Sequence, residues 1–119
     1  MVNIKKLIKS FKVAGEGMIH LFKTEQNFRI ELIGAVIVAG LIIYVQPTAI
    51  ETAVLSIVTA SVLVMEIMNT VLERLLDILT KRKSKNFKIL KDTMAAAVLL
   101  NAIVAIIVAV IIFGKYFIE

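Results

Sequence analysis

Residues 94–113 read MAAAVLLNAIVAIIVAVIIF, and Asn101 is the single strongly polar residue among them. An α-helix needs about 20 consecutive apolar residues to cross the hydrocarbon core of a bilayer. The whole chain of 119 residues is 60% hydrophobic, whereas soluble domains are typically about 45–50% apolar. A soluble fold of this size could not bury so much apolar surface in one core. The sequence therefore predicts an integral membrane protein.

Two more apolar stretches precede this one, at residues 28–45 and 50–68. The turn Gln46-Pro47-Thr48 separates them, because a proline cannot continue a helix, and the second helical pattern continues through Leu79. Residues 1–23 show the helical spacing of an amphipathic helix, which we expect to lie in the membrane interface or to pack on the spans. Its apolar positions are Ile4, Leu7, Ile8, Phe11, Met18, Ile19 and Phe22. The predicted fold is all-α: an interfacial N-terminal helix and three transmembrane helices in one domain over residues 1–119.

The basic residues predict how these spans are oriented. Six precede or begin the first span and seven lie between the second and third spans, whereas the turn at 46–48 has none and the tail has only Lys115. The positive-inside rule places the N-terminus and the connection 69–93 in the cytoplasm and the C-terminus outside. Basic residues in these positions indicate topology and lipid-headgroup contacts, so we expect no nucleic-acid partner. We also expect no cleavable signal peptide, since no short apolar region with a cleavage site follows Ser10.

Four polar residues share one face of the second long helix: Glu66, Asn69, Glu73 and Asp77. At about 100° per residue they lie within an arc of roughly 80°, and we call this set the acidic stripe. A carboxylate that faces lipid costs several kcal/mol, so the stripe must face protein, water or a cation. Topology brings Glu25, Glu31, Lys91 and Asp92 to the same membrane surface.

Carboxylate oxygens are suitable ligands for a hard cation such as Mg²⁺. A chain with no Cys and one His is a poor candidate for a dedicated zinc or copper site. Three other interpretations of the acidic stripe stay open on the residues alone. Its carboxylates pair with Arg74, Lys81 or Arg29, or they form a relay in a small ion- or proton-coupled transport subunit, or they form the helix seam of a non-enzymatic assembly protein.

Three segments resemble the prokaryotic diacylglycerol kinase and undecaprenol kinase family. Residues 65–77, MEIMNTVLERLLD, look like its hallmark E-[IL]-x-N-[ST]-x-x-E-x-x-x-D. Residues 25–31, EQNFRIE, look like its E-x-N-x-R-I segment, and residues 91–98, KDTMAAAV, look like its K-D-x-x-A-A-A-V segment. The resemblance covers residues 9–113, with the three motifs in the family's order.

The resemblance implies a homotrimeric lipid kinase of the bacterial cytoplasmic (inner) membrane, with a site shared between subunits. Such an enzyme transfers the γ-phosphoryl group of Mg-ATP to a lipid hydroxyl. Carried over, Glu66 is the catalytic base, and Glu25 and Glu73 bind Mg²⁺. The implied ATP-binding residues are Glu25, Glu73, Lys91, Asp92, Asn69 and Asp77. The implied lipid-substrate residues are Glu66, Lys6, Ala95 and Glu31.

The resemblance leaves the lipid open. The E-x-N-x-R-I form is similar to members that act on undecaprenol, whereas Glu31 is similar to members that act on diacylglycerol. Three positions depart from the family pattern: Ser84 stands where a His is common, Leu90 where Ala is usual, and Ala14 where a small hydroxyl residue is usual. Independently of the family, three helices cannot enclose the stripe, ATP and a lipid, so we expect a homo-oligomer.

Overall fold

The computed structural model describes residues 1–79 and 85–118. The regular structure of these residues is entirely α-helical, in the order α1 (Ile4–Thr24), α2 (Gln26–Val45), α3 (Ala49–Leu79) and α4 (Lys85–Phe117). Helices α2, α3 and α4 are long and apolar enough to cross a membrane, which confirms the three expected long apolar helices. Ser84 and the basic residues at 81–83, including the proposed partner Lys81, lie outside the described residues.

The turn between α2 and α3 is built by local hydrogen bonds. Gln46 adopts the left-handed conformation with φ 53°, and its N–H donates to the Ile42 carbonyl oxygen at 2.9 Å. The Thr48 N–H donates to Glu51 Oε1 at 3.0 Å, and the Glu51 N–H donates to Thr48 Oγ1 at 3.2 Å. This reciprocal pair is a capping box, which satisfies donors at the start of a helix. The turn therefore ends α2 and starts α3 within three residues.

The long helices extend past the apolar stretches that predict them. Helix α3 continues to Leu79, as its pattern indicates, and α4 begins at Lys85 although its apolar stretch starts at residue 94. Hydropathy identifies the part of a helix that lipid can surround, while backbone hydrogen bonding continues through polar residues beyond it. The extension places Lys88, Lys91 and Asp92 on a helix rather than in a loop.

A hydrophobic core lies at the end of the bundle that holds the 46–48 turn, which we call the turn end. Leu55 of α3 contacts Ile112 and Phe113 of α4, and partly buried residues of α2 and α4 surround them. Between this core and the acidic stripe, Asn101 Nδ2 donates to Ser61 Oγ at 3.2 Å. The hydrogen bond satisfies a polar side chain within the apolar part of α4, because its partner lies on the neighbouring helix.

Helix α1 leaves the bundle at Glu25, which has an extended backbone (φ −117°, ψ 112°) between α1 and α2. No residue of α1 is buried within the single chain. Arg29 of α2 reaches back, and its Nη1 donates to the Phe22 carbonyl at 2.9 Å and the Lys23 carbonyl at 3.3 Å. These bonds satisfy carbonyl groups that the end of a helix leaves without partners. They also hold the α1–α2 junction against α2.

Candidate functional site

The acidic stripe changes from buried to exposed along α3. Glu66 is 3% exposed and Asn69 is 8% exposed, whereas Glu73 is half-buried and Asp77 is exposed. Within the single chain the stripe therefore begins as a buried carboxylate and ends in solvent. We call this end of the bundle the stripe end.

Three other carboxylates lie near Glu66. Those of Glu73 and Glu25 lie within electrostatic range of it, and so does that of Glu31 on α2. Glu31 Oε2 is buried without a hydrogen-bond partner in the described part of the chain. Like charges this close repel one another, and the repulsion is strong where water is excluded. The cluster therefore favours a cation, and its members come from α2, α3 and the α1–α2 junction.

Asn69 offers an unused oxygen to this cluster. Its Nδ2 donates to Glu73 Oε1 at 3.4 Å, while its Oδ1 is buried and has no partner among the described residues. Beside it, the Thr70 hydroxyl donates to the Glu66 carbonyl at 3.1 Å. Because buried polar atoms are nearly always hydrogen-bonded, Asn69 Oδ1 is suited to a ligand.

Two cationic side chains border the cluster. Arg74 Nη2 pairs with Glu25 Oε1 at 2.7 Å, and Lys91 Nζ pairs with Asp77 Oδ1 at 2.6 Å. The ion-pair interpretation of the stripe is therefore wrong about two partners, since Arg74 pairs with Glu25 and Arg29 bonds to backbone carbonyls. Periodicity cannot predict this choice, because it depends on how each helix is rotated against its neighbour. Lys91 and Asp77, which the topology predicts at the same membrane surface, form an ion pair.

The carboxylates suit a metal ion that takes only some of its ligands from the protein. Across residues 1–79 and 85–118, no group of three or more His, Cys, Asp or Glu side chains is arranged to hold a metal ion. Mg²⁺ usually binds proteins through one or two carboxylates and takes its remaining ligands from substrate phosphates and water. Oxygen donors without thiolates fit this ion. The oxygen ligands present therefore fit Mg²⁺ that takes its remaining ligands from phosphate groups and water.

Comparison with known proteins identifies the family. The family model described as Prokaryotic diacylglycerol kinase matches residues 12–113. The chain belongs to the prokaryotic diacylglycerol kinase family. This confirms the resemblance that the three motifs indicate, and it covers every residue of the carboxylate cluster.

Two curated proteins are similar to this chain over most of its length. The diacylglycerol kinase of Synechocystis sp. is 39% identical over 105 residues, which cover 86% of this chain and 59% of the relative. The undecaprenol kinase of Bacillus subtilis is 29% identical over 112 residues, which cover 92% of this chain and 89% of the relative. The chain thus spans less than two thirds of the Synechocystis relative and most of the Bacillus relative.

Some of the expected site residues are not bonded to the acidic stripe in the described structure. Asp92 pairs with Lys88 at 2.7 Å, one helical turn away, and both side chains are mostly exposed. Lys6 in the first turn of α1 and Ala95 on α4 are also exposed. In the described part of a single chain, these side chains are not bonded to the stripe. Sequence order places Asp92 beside Lys91, but successive helical residues point about 100° apart.

An apolar groove of about 230 Å³ runs from Glu31 between α2, α3 and α4. Most of its lining residues are small or aliphatic: Gly34, Ala35, Val38, Val62, Ala102, Ala105, Ile106 and Ala109, with Thr59 adding a hydroxyl. Neither hydropathy nor the motifs predict this groove. The only signal is the spacing of small residues in α4 at 102, 105 and 109, which repeat on one helical face.

Proposed function

We propose that this chain transfers the γ-phosphoryl group of ATP to the hydroxyl group of a membrane lipid. The acceptor is diacylglycerol or undecaprenol, and the product is phosphatidate or undecaprenyl phosphate. Membership of the family and the names of the two relatives support this class of reaction. The observation that carries the proposal is Glu66, a 3% exposed carboxylate among other carboxylates.

Glu66 is the proposed general base. The lipid hydroxyl oxygen forms a bond to the γ-phosphorus, the bond from that phosphorus to the bridging oxygen of ADP breaks, and the hydroxyl proton passes to Glu66. Burial keeps water away from this carboxylate, which favours transfer to the lipid over hydrolysis of ATP. General bases contribute about 10²–10⁴-fold to the rate of such reactions.

The other stripe residues, together with Glu25, Lys91 and Asp92, position the nucleotide. Glu25 and Glu73 are the proposed holders of Mg²⁺, which when bound neutralises charge on the β- and γ-phosphates. Asn69 provides its unpartnered Oδ1, and Asp77 orients Lys91 through their ion pair. Lys91 then has a fixed ammonium group to offset phosphate charge. Asp92 completes the proposed nucleotide contacts.

The lipid site extends from Glu66 and Glu31 into the membrane. The apolar groove meets Glu31 and continues toward the turn end, so an alkyl chain in it would leave the hydroxyl group near the carboxylates. Lys6 and Ala95 are the other proposed lipid contacts. Their exposure within one chain fits a site completed by a second subunit, and we propose a homotrimer with shared sites.

The proposed location is the bacterial cytoplasmic membrane, with the N-terminus and residues 69–93 in the cytoplasm. Helix α1 then lies in the membrane interface. Its apolar side chains Ile4, Ile8, Phe11 and Phe22 are exposed in the single chain, and an interfacial helix buries such side chains at the headgroup boundary. This arrangement puts the stripe where both ATP and a lipid hydroxyl can reach it.

The test is an assay of the purified full-length chain with labelled ATP, Mg²⁺ and a panel of lipid alcohols in mixed micelles. We expect labelled phosphatidate or undecaprenyl phosphate, loss of transfer with EDTA and recovery when Mg²⁺ is added back. Glu51→Gln, at the turn end, is the matched carboxylate control and should retain activity. No labelled lipid from any alcohol would overturn the proposal.

A further inference from the structure

Arg74 connects the carboxylate cluster to the α1–α2 junction. Its Nη2 donates to Glu25 Oε1 at 2.7 Å and to Thr24 Oγ1 at 2.9 Å. The Thr24 hydroxyl in turn donates to the His20 carbonyl at 2.9 Å. One guanidinium group on α3 therefore holds both the last residue of α1 and the junction carboxylate.

Arg74 is the cationic partner of the Glu25 carboxylate. The backbone of Glu25 is extended between the two helices, so the contact with Arg74 connects this junction to α3. The Glu25 side chain is 29% exposed and that of Arg74 is 42% exposed, which limits the stability that such an ion pair provides. Its geometric effect is larger, because the guanidinium is planar and its donors are fixed in direction.

The contact leaves Glu25 able to bind a second cation. The hydrogen-bonded ion pair with Arg74 is made through Oε1, whereas a carboxylate has two oxygens that can accept. Residues that hydrogen-bond a metal ligand from behind fix its direction, and replacing them typically costs about 10–100-fold in metal affinity or activity.

We propose that Arg74 is a positioning residue for the metal–nucleotide complex: it aims the Glu25 carboxylate at the cluster of Glu66 and Glu73 while it anchors the end of α1. This inference rests on the proposed function, in which Glu25 holds Mg²⁺. Arg74 itself touches neither the nucleotide nor the lipid. Helix α3, which carries Glu66 and Glu73 as well as Arg74, then sets the orientation of the Glu25 carboxylate.

The first experiment measures binding without catalysis. Calorimetric titration of the full-length protein with Mg²⁺ and the non-hydrolysable nucleotide AMP-PNP compares the parent chain with Arg74→Gln and Arg74→Lys. We expect Arg74→Gln to weaken binding about 10–100-fold, with unchanged stoichiometry, and Arg74→Lys to recover part of the loss because it keeps the charge.

The second experiment separates positioning from folding. In the lipid phosphorylation assay, Arg74→Gln should raise the Mg²⁺ concentration for half-maximal rate about tenfold or more, while kcat at saturating Mg²⁺ stays within about threefold. Arg29→Gln is the matched control, because it removes an arginine from the same junction without removing a partner of Glu25. We expect its Mg·AMP-PNP affinity to change less than about threefold.

Three results would overturn the inference in distinguishable ways. If the parent chain binds Mg·AMP-PNP and phosphorylates lipid but Arg74→Gln has the same affinity and Mg²⁺ dependence, Arg74 does not position Glu25 and the proposed function stands. If the parent chain neither binds the complex nor phosphorylates lipid, the proposed function and the role of Arg74 fail together. Equal losses in Arg74→Gln and Arg29→Gln would assign the effect to the junction as a whole and reject the specific role.

Discussion

Carboxylates at the two ends of the helix bundle have different neighbours. At the turn end, Glu51 has a side chain that is 15% exposed and is paired with Lys115. It also accepts hydrogen bonds from the Tyr116 hydroxyl and from the Thr48 N–H. At the stripe end, Glu66 is more deeply buried, and its neighbours include Glu25, Glu31 and Glu73.

The difference separates a structural carboxylate from candidate functional ones. Glu51 caps α3 and joins it to the end of α4, and protein donors occupy its oxygens. Glu31 Oε2 and Asn69 Oδ1 have no hydrogen-bond partner in the described part of the chain. Leaving a buried polar atom unpaired costs free energy. These two unpaired atoms therefore indicate a binding site more specifically than the presence of charged residues does.

The largest expected effect follows from replacing Glu66. Glu66→Gln keeps the side-chain volume and removes the proton acceptor, so kcat for lipid phosphorylation should fall about 10²–10⁴-fold. Thermal unfolding and the oligomeric state in detergent should be preserved, because the substitution also relieves repulsion from Glu73 and Glu25. Activity within tenfold of the parent chain would show that Glu66 is not the base.

A smaller effect is expected when a proposed metal ligand is replaced. Glu73→Gln should raise the Mg²⁺ concentration for half-maximal rate by at least about tenfold, because one of the two carboxylates proposed to hold the ion is lost. The measurement is the initial rate of lipid phosphorylation across a Mg²⁺ titration at fixed ATP. An unchanged titration curve would remove Glu73 from the metal site.

Glu51→Gln should affect stability instead of catalysis. The substitution removes the charge that pairs with Lys115 and weakens the capping box with Thr48. We expect a lower Tm in detergent, with kcat and Mg²⁺ dependence within about twofold of the parent chain. Transfer lost as completely as in Glu66→Gln would mean that the two ends do not differ in function.

The smallest effect is expected between the two ends, at the Ser61–Asn101 pair. Interhelical hydrogen bonds within membranes average about 0.6 kcal/mol in double-mutant cycles. Ser61→Ala, Asn101→Leu and the double variant should give a coupling free energy of unfolding of about this size, measured by denaturant titration in mixed micelles. A coupling near zero would show that the pair does not stabilise the contact between α3 and α4.

Much of the fold could be predicted because it depends on composition along the chain. Lipid solvation requires long apolar helices, so residues 28–45, 50–68 and 94–113 are recognisable without any contact information. Periodicity alone also places Glu66, Asn69 and Glu73 on one side of α3. Hydropathy does not predict the start of α4 at Lys85, because residues 85–93 mix charged and apolar side chains and do not form an apolar stretch.

The sequence by itself determined that the chain forms three apolar helices with a row of carboxylates on one of them. Only the tertiary structure decided that Arg74 meets Glu25, that Lys91 meets Asp77, and that a groove opens beneath Glu31. The physical reason is that helical periodicity fixes positions within one helix, whereas partners across helices depend on the rotation and depth at which the helices pack. Those two quantities are set jointly by side chains distant in the chain, such as Leu55 and Phe113.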